Sequence, residues 1–348
     1  MPSADTMLRR MAGLATASTT RKTPRGIVEH KCCTNKPLED FMMQMLNKTD
    51  VFEQDELVLD YDNTIIFNEK KDSNMSYKQA PGYQPGVATL NREIVFYLEN
   101  RNGNSDAKSL QADTFKRLFE AWERNHTRAI DIFRADAASY QYEVISYIET
   151  KVNHFFIGCR NSYVDKYYSQ VTRWEEMKDD DGTSMEVGCT RFKPFKKRSK
   201  KNEDIKEYRL VVKRKKNKSG QVNMVTQDAY DYRSIITNDF KRSAKEIANI
   251  YNQRGGMERT FDILKNDFGW NKMPFSSLEK NHAFLILTAV VSNLYRTLIK
   301  HFSLTVKWLA PTFRLKKFIF RFIILPAKWI KRGRQKHLKI YSLKTYPT

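Results

Sequence analysis

Apolar residues recur at helical spacing in several separate stretches of this chain. Leu8, Met11 and Leu14 make a weak stripe, and Leu38, Phe41, Met42, Met45 and Leu46 a stronger one. Phe115, Leu118, Phe119 and Trp122 follow the i, i+3, i+4, i+7 pattern of an amphipathic helix, and Val144, Ile145 and Ile148 mark another. Between them lie runs with strand character: Glu56 to Phe67, Ile94 to Leu98, Ala129 to Phe133 and Phe155 to Gly158. Strands alternating with single helices predict βαβ units and a mixed sheet. From 161 to 232 the pattern loosens into strand-like runs (Tyr208 to Lys213, Val222 to Thr226) among Lys-rich and Gly/Asp segments, which predicts a β-rich insertion. Tyr232 to Thr237 returns to strand. Ser243-Ala-Lys-Glu246 then reads as a capping box opening a helix.

Charge changes this picture by its distribution. The chain carries a net charge of +21 over 348 residues. Residues 191–218 hold fourteen Lys/Arg against three acids, and residues 280–348 hold fifteen with no acid; the remainder nets −5. Cations gathered in two segments predict a nucleic-acid contact surface. Phe192, Phe195 and Tyr208 interleave the first segment, which suits backbone contact with base stacking. Cys32, Cys33, Cys159 and Cys189 have no metal-ligand spacing, so a reduced compartment is expected. Neither Ala283 to Ile299, interrupted by Ser292, Asn293 and Arg296, nor Phe318 to Ile330, broken by Arg321, Pro326 and Lys328, is an uninterrupted apolar span. The first predicts a buried helix, and no stable membrane association is expected.

The candidate chemistry sits on acids placed where acids are costly. In a strand, Asp60, Asp62 and Thr64 share one face, embedded among Leu57, Val58, Leu59, Ile65 and Ile66. Carboxylates in such a run need a cation or partners. The second concentration is Tyr251-Asn-Gln-Arg254-Gly-Gly-Met-Glu258, followed by Lys265. On a continuous α-helix Tyr251, Arg254, Glu258 and Lys265 fall within an arc of roughly 60°, over about 21 Å. Ile247, Ile250, Phe261 and Leu264 supply the opposite, apolar face. Gly255 and Gly256 interrupt it at roughly 1 kcal/mol each relative to Ala, hinting at a break or a close approach.

The spacing Tyr251-(2)-Arg254-(3)-Glu258-(6)-Lys265 resembles the third-carboxylate signature of DDE transposases of bacterial insertion sequences. Asp62-Asn-Thr64 resembles that family's first motif, and Arg134-Ala-Asp136, at the end of the Ala129 to Phe133 strand, is similar to its second. The resemblance covers roughly residues 50–300. It implies an α/β fold with a ribonuclease-H-like mixed sheet flanked by helices, a β-rich insertion before the last catalytic helix, and a basic helical C-terminal tail. It further implies that Asp62, Asp136 and Glu258 are catalytic ligands of two Mg²⁺ ions, with Mn²⁺ able to substitute. Arg254 and Lys265 would bind phosphates, and Tyr251 would meet the displaced strand. Trp174, in the insertion, would stack on a flipped base. Asp60 is a second carboxylate near the metals, and its role can exchange with that of Asp62. Partners would be double-stranded DNA, as element ends and target, with a homodimer on DNA; the setting would be bacterial cytoplasm, at the nucleoid.

The implied division is a remnant helical segment at 1–50, core at 51–160, insertion at 161–232, core with the signature helix at 233–300, and tail at 301–348. Family members place an end-recognition domain ahead of the core, whereas about sixty residues precede Asp62, which is expected of an N-terminal truncation. Two alternatives stand beside this reading. Leu57-Val-Leu-Asp60-Tyr-Asp62-Asn-Thr64 also resembles the first motif of haloacid-dehalogenase-type phosphatases, with Asp60 as nucleophile and Asp62 as general acid; its later acidic pair would have to come from Asp179-Asp180-Asp181-Gly182. A decayed, DNA-binding remnant without turnover is the other.

Overall fold

In the computed structural model, residues 2–22, 29–179, 182–195, 206–217, 220, 222 and 225–341 are described. Two short strands near the N-terminus, β1 (Thr19–Lys22) and β2 (Glu29–Cys33), form one edge of an eleven-stranded sheet. The apolar run after Leu57 supplies β3 (Val58–Asn63), which continues into β4 (Gly86–Leu90) and β5 (Ile94–Arg101), each antiparallel to the last. Two strands then run parallel to β3: β6 (Ile130–Ala135) beside it and β7 (Val152–Gly158) beyond. The insertion adds β8 (Trp174–Lys178), β9 (Ser184–Phe192) and β10 (Tyr208–Lys216), and β11 (Tyr230–Thr237) returns to pair with β7. The order across the sheet is β1-β2-β5-β4-β3-β6-β7-β11-β10-β9-β8. Three antiparallel strands followed by two parallel ones form the ribonuclease-H-like mixed sheet expected from the sequence, and the insertion prolongs the same sheet.

Helices cover its faces. α1 (Ala4–Ala12) and α2 (Lys36–Leu46) lie in the N-terminal region; α3 (Gln111–Glu123) and α4 (Tyr142–Ile148) are the connections leading into β6 and β7. α3 buries Phe115, Leu118, Phe119 and Trp122, as its periodicity requires. Each such side chain contributes about 1.5–3 kcal/mol through burial. α5 (Ala244–Asn252) opens on the Ser243–Glu246 capping box, and α6 (Gly256–Asp267) carries the second half of the signature. α7 (Leu278–Thr305) is long and apolar enough to cross a membrane, but half of its apolar window is buried, and it packs on β5, α2 and α1. Its buried Asn293 clamps the backbone of Val95 through both amide atoms, at 3.1 and 2.6 Å.

The structure departs from the sequence reading at both ends. The first fifty residues are not only helical, because β1 and β2 extend the sheet edge. Among the described residues the tail is helical to Thr305 at the end of α7 and across α8 (Leu315–Phe318) and the π-turn after it; Pro326 lacks the donor a helix needs, and β12 (Ala327–Arg332) and β13 (Gln335–Ile340) then form a hairpin. Val222, Val225 and Thr226 are not in a strand, and residues 223 and 224 lie outside the described residues. All four cysteines are free thiols.

His282, on the buried face of α7, has no hydrogen-bond partner for either ring nitrogen among the described residues. Burial pushes its imidazole down to about 3. The folded state therefore holds it neutral while the unfolded chain takes up a proton near pH 6.5. Its contribution is fully present above that pH and is lost as pH falls toward 3, at about 1.4 kcal/mol per unit. Denaturant unfolding of the parent and His282→Leu across this range is expected to show the parent losing stability relative to the variant, by on the order of 4 kcal/mol at the acid end. Parallel curves would show that His282 is not buried neutral.

Candidate active site

β3 and β6 are neighbours in parallel register, with Asp60 opposite Arg134 and Tyr61 opposite Ala135. Side chains two apart share a face, so Asp60 and Asp62 on one strand match Arg134 and Asp136 on the other. The inner pair is closed. Arg134 donates from Nε and Nη2 to the two Asp60 oxygens, both at 2.6 Å, and neither side chain is more than 1% exposed. Its remaining terminal nitrogen donates to the Ile250 carbonyl near the end of α5. Burial pushes the Asp60 carboxyl up, and the Arg134 fork opposes that shift. One guanidinium thus ties two sheet strands to the helix that leads into Tyr251. The sequence motifs do not single out Arg134 as a functional residue, although its two-residue spacing to Asp136, equal to that of Asp60 to Asp62, is the signal that points to it.

The outer pair lies at the strand ends, where the sheet opens to solvent. Asp62 is half-buried; its Oδ1 accepts from the Asn63 amide at 2.8 Å and its Oδ2 from Arg254 Nη1 at 2.9 Å. Burial pushes its carboxyl above the ordinary carboxylate range, and the Asp136 charge adds to that while Arg254 opposes it. Asp136 caps the short turn after β6, accepting from the Ala138 amide at 3.0 Å. Against the cost of burial, Asp62, Tyr251 and Asp136 hold the Arg254 guanidinium above its ordinary value. Tyr251 hydroxyl donates to the Ala135 carbonyl at 3.4 Å, so the phenol lies against the strand end that carries Asp136. A Cβ on Gly158 would sit 2.6 Å from that hydroxyl, which explains glycine at the end of β7.

The structure therefore brings Asp62, Asp136, Tyr251 and Arg254 together. Lys265 reaches the same region, donating to the Ile65 carbonyl at 2.9 Å just beyond β3; burial pulls its ammonium down. Glu258 does not join: it is exposed, and no cluster of three His, Cys, Asp or Glu forms among the described residues. The signature is not one helix. Gln253–Gly255 is a 3₁₀ turn between α5 and α6. Three residues at about 120° instead of 100° rotate α6 by roughly 60° off the ideal stripe. Both glycines have right-handed backbone angles, so neither is there for a positive φ. A Cβ on Gly256 would press Arg92 at 3.3 Å, whereas one on Gly255 would meet nothing within 4 Å.

Trp174 is not gathered with the carboxylates. It opens β8, half-buried, with the Arg214 guanidinium 4.0 Å from its ring centroid. An open groove of about 1090 Å³ runs from Ala137, Gly158 and Arg254 past Tyr251 and Lys213 to Tyr232 and Arg214 on the insertion strands. Its walls carry Arg160, Lys213, Arg214 and Arg233 and can accept an extended polyanion, and Ala137 and Arg254 place one end of it beside Asp136 and Asp62. The phosphatase alternative fails on Asp60. A nucleophile needs an approachable oxygen, and both Asp60 oxygens are buried in the Arg134 fork. Asp180 and Asp181 of its second acidic cluster lie outside the described residues.

The profile of the family described as Transposase DDE domain group 1 matches residues 2–347. No curated protein matches the chain. Among solved structures, the chain is similar to the piggyBac transposase in its synaptic complex with hairpin DNA, at 9% identity and a TM-score of 0.42, covering 78% of this chain and 56% of that one. The chain thus spans little more than half the length of that relative.

Proposed function

Since the chain belongs to the DDE transposases of domain group 1, we propose that it cleaves phosphodiester bonds at the ends of a bacterial insertion sequence and joins them to target DNA. The observation that carries this reading is that Asp62 and Asp136 directly follow the last register pair of two parallel strands, Tyr61 and Ala135, with Arg254 of the signature already on Asp62. The donor set fits a divalent cation, because both side chains offer hard oxygen donors and the Asp136 charge raises the cost of ionising Asp62. Asp62 and Asp136 would hold Mg²⁺, or Mn²⁺ in its place, and Glu258, which stands exposed outside the pair in this structure, would complete the set by turning toward it. When bound, the metal pair supplies Lewis-acid stabilisation of the attacking and leaving oxygens.

The side chains have separate tasks in this proposal. Arg254 is a half-buried, permanently charged fork held by Asp62, so it can transfer a hydrogen bond to a phosphate oxygen without leaving the site. Lys265 adds a second cation beside the Ile65 carbonyl, just beyond β3. Tyr251 closes the strand-end side of the groove and shapes the path of the DNA backbone. Arg160, Lys213 and Arg233 line that path toward the insertion, where Trp174 is the candidate for stacking on an unpaired base. The core at 51–160 and 233–300 would carry the chemistry, the insertion at 161–232 and the tail at 301–348 would hold DNA, and a homodimer would form on paired element ends.

Glu258 decides the ligand set. Glu258→Ala is expected to lower Mg²⁺-dependent nicking of DNA carrying the element's ends by on the order of 10²–10³, read on a denaturing gel. The same variant should bind that DNA as well as the parent. Parental cutting by the variant would remove Glu258 from the chemistry, and loss of binding alone would make it a contact residue.

A further inference from the structure

We propose that the hairpin β12–β13 is an arm that grips a groove of duplex DNA. The proposal takes only the polymer's identity from the transposase reading. The hairpin is a two-stranded sheet of its own, unpaired with the eleven-stranded sheet. Such a ribbon is marginally stable in water without a partner, and this one is built against itself. Lys328 lies directly opposite Lys339, and Lys331 opposite Lys336. Like charges facing each other across strands are destabilising. With Arg332 and Arg334 the ribbon carries six cations, and no acidic residue follows Glu279 to offset them. The two pairs lie on opposite faces of the ribbon, and a polyanion facing either of them converts its repulsion into attraction.

Geometry selects the polyanion. Arg332 pairs with Gln335, so Gly333 and Arg334 form a two-residue turn, with Gly333 at φ +60°. Lys331, Arg332, Arg334 and Lys336 therefore crowd the tip. The large apolar residues sit behind it: Trp329 pairs with Leu338, and Ile340 lies near the base. A ribbon that entered a lipid surface would lead with those apolar residues. This one leads with charge. Its six-residue strands reach about 20 Å, and the major groove, about 12 Å wide, admits a two-stranded ribbon.

The test uses the full chain and an arbitrary duplex of about 30 bp without divalent metal, followed by fluorescence anisotropy across a salt series. A variant with Lys331→Gln, Arg332→Gln, Arg334→Gln and Lys336→Gln should bind more weakly, and its log–log salt slope should be shallower by about 3–4, near 0.9 for each phosphate that is no longer neutralised. A control neutralising four exposed cations outside the insertion and the tail (Lys36→Gln, Lys48→Gln, Lys272→Gln, Lys280→Gln) should change the slope by less than half as much. Equal changes would overturn the proposal in favour of net charge alone. An unchanged duplex slope with lost sedimentation on phosphatidylserine vesicles would overturn it in favour of a membrane surface. Parallel nicking with Mg²⁺ separates the readings: a parent that nicks while the ribbon variant keeps its slope defeats only the arm. A parent that does not nick while the variant loses its slope leaves the arm standing.

Discussion

Asp62→Asn is expected to reduce Mg²⁺-dependent DNA nicking by at least about 10³, on the order of 4 kcal/mol of transition-state stabilisation, while leaving the protein folded. The two expectations come from the same surroundings. Burial and the Asp136 charge already push the Asp62 carboxyl above its usual range, so a neutral amide is no harder to bury than the carboxylate. The Asn63 amide keeps its acceptor in the new side-chain oxygen. What is lost is the charge that would face a divalent cation and the acceptor for Arg254. DNA binding measured without metal should hold or tighten, because one carboxylate that repels phosphate is gone and Arg254 is released. Rates by gel, midpoints by denaturant and affinity by anisotropy separate the three effects. Nicking at the parental rate would remove Asp62 from the chemistry, and a collapse of stability would make it a structural acid.

Much of this site is written in local pattern. Asp60 and Asp62 share a strand face in the sequence because the period of a strand is two, and the parallel partner β6 shows the same interval between Arg134 and Asp136. Helices α3 and α4 and the cap of α5 were legible because their apolar spacing and the Ser243–Glu246 pair are local signals. What was not legible depends on distant partners. β4, Gly-Val-Ala-Thr-Leu, is buried at every position and shows no alternation. β1 is exposed throughout and looks like loop. The position of Glu258 depends on a three-residue change of helical pitch that the Gly255-Gly256 pair suggests without specifying its angle. The Arg134–Asp60 bond joins residues 74 apart in sequence, and a lone Arg after an apolar run looks like the end of a strand.

That bond predicts the largest change in stability. Arg134→Met strips a fully buried carboxylate of both its donors, and removal of one partner from such a pair costs about 3–5 kcal/mol. Chemical denaturation should show that loss, and Arg134→Lys should recover only part of it, since one ammonium cannot span Asp60 and the Ile250 carbonyl together. The double variant Asp60→Leu with Arg134→Met should restore most of the stability, because two apolar side chains replace two desolvated charges. It should not restore nicking. The Ile250 carbonyl still lacks its donor, and Tyr251 follows it directly, with Arg254 one turn on, so the second half of the site loses its tie to β3 and β6. Recovery of nicking along with stability would reduce Arg134 to a packing role. Stability without turnover would show that the pair's function is to fix the distance between Asp62 and the helix that brings Arg254 to it.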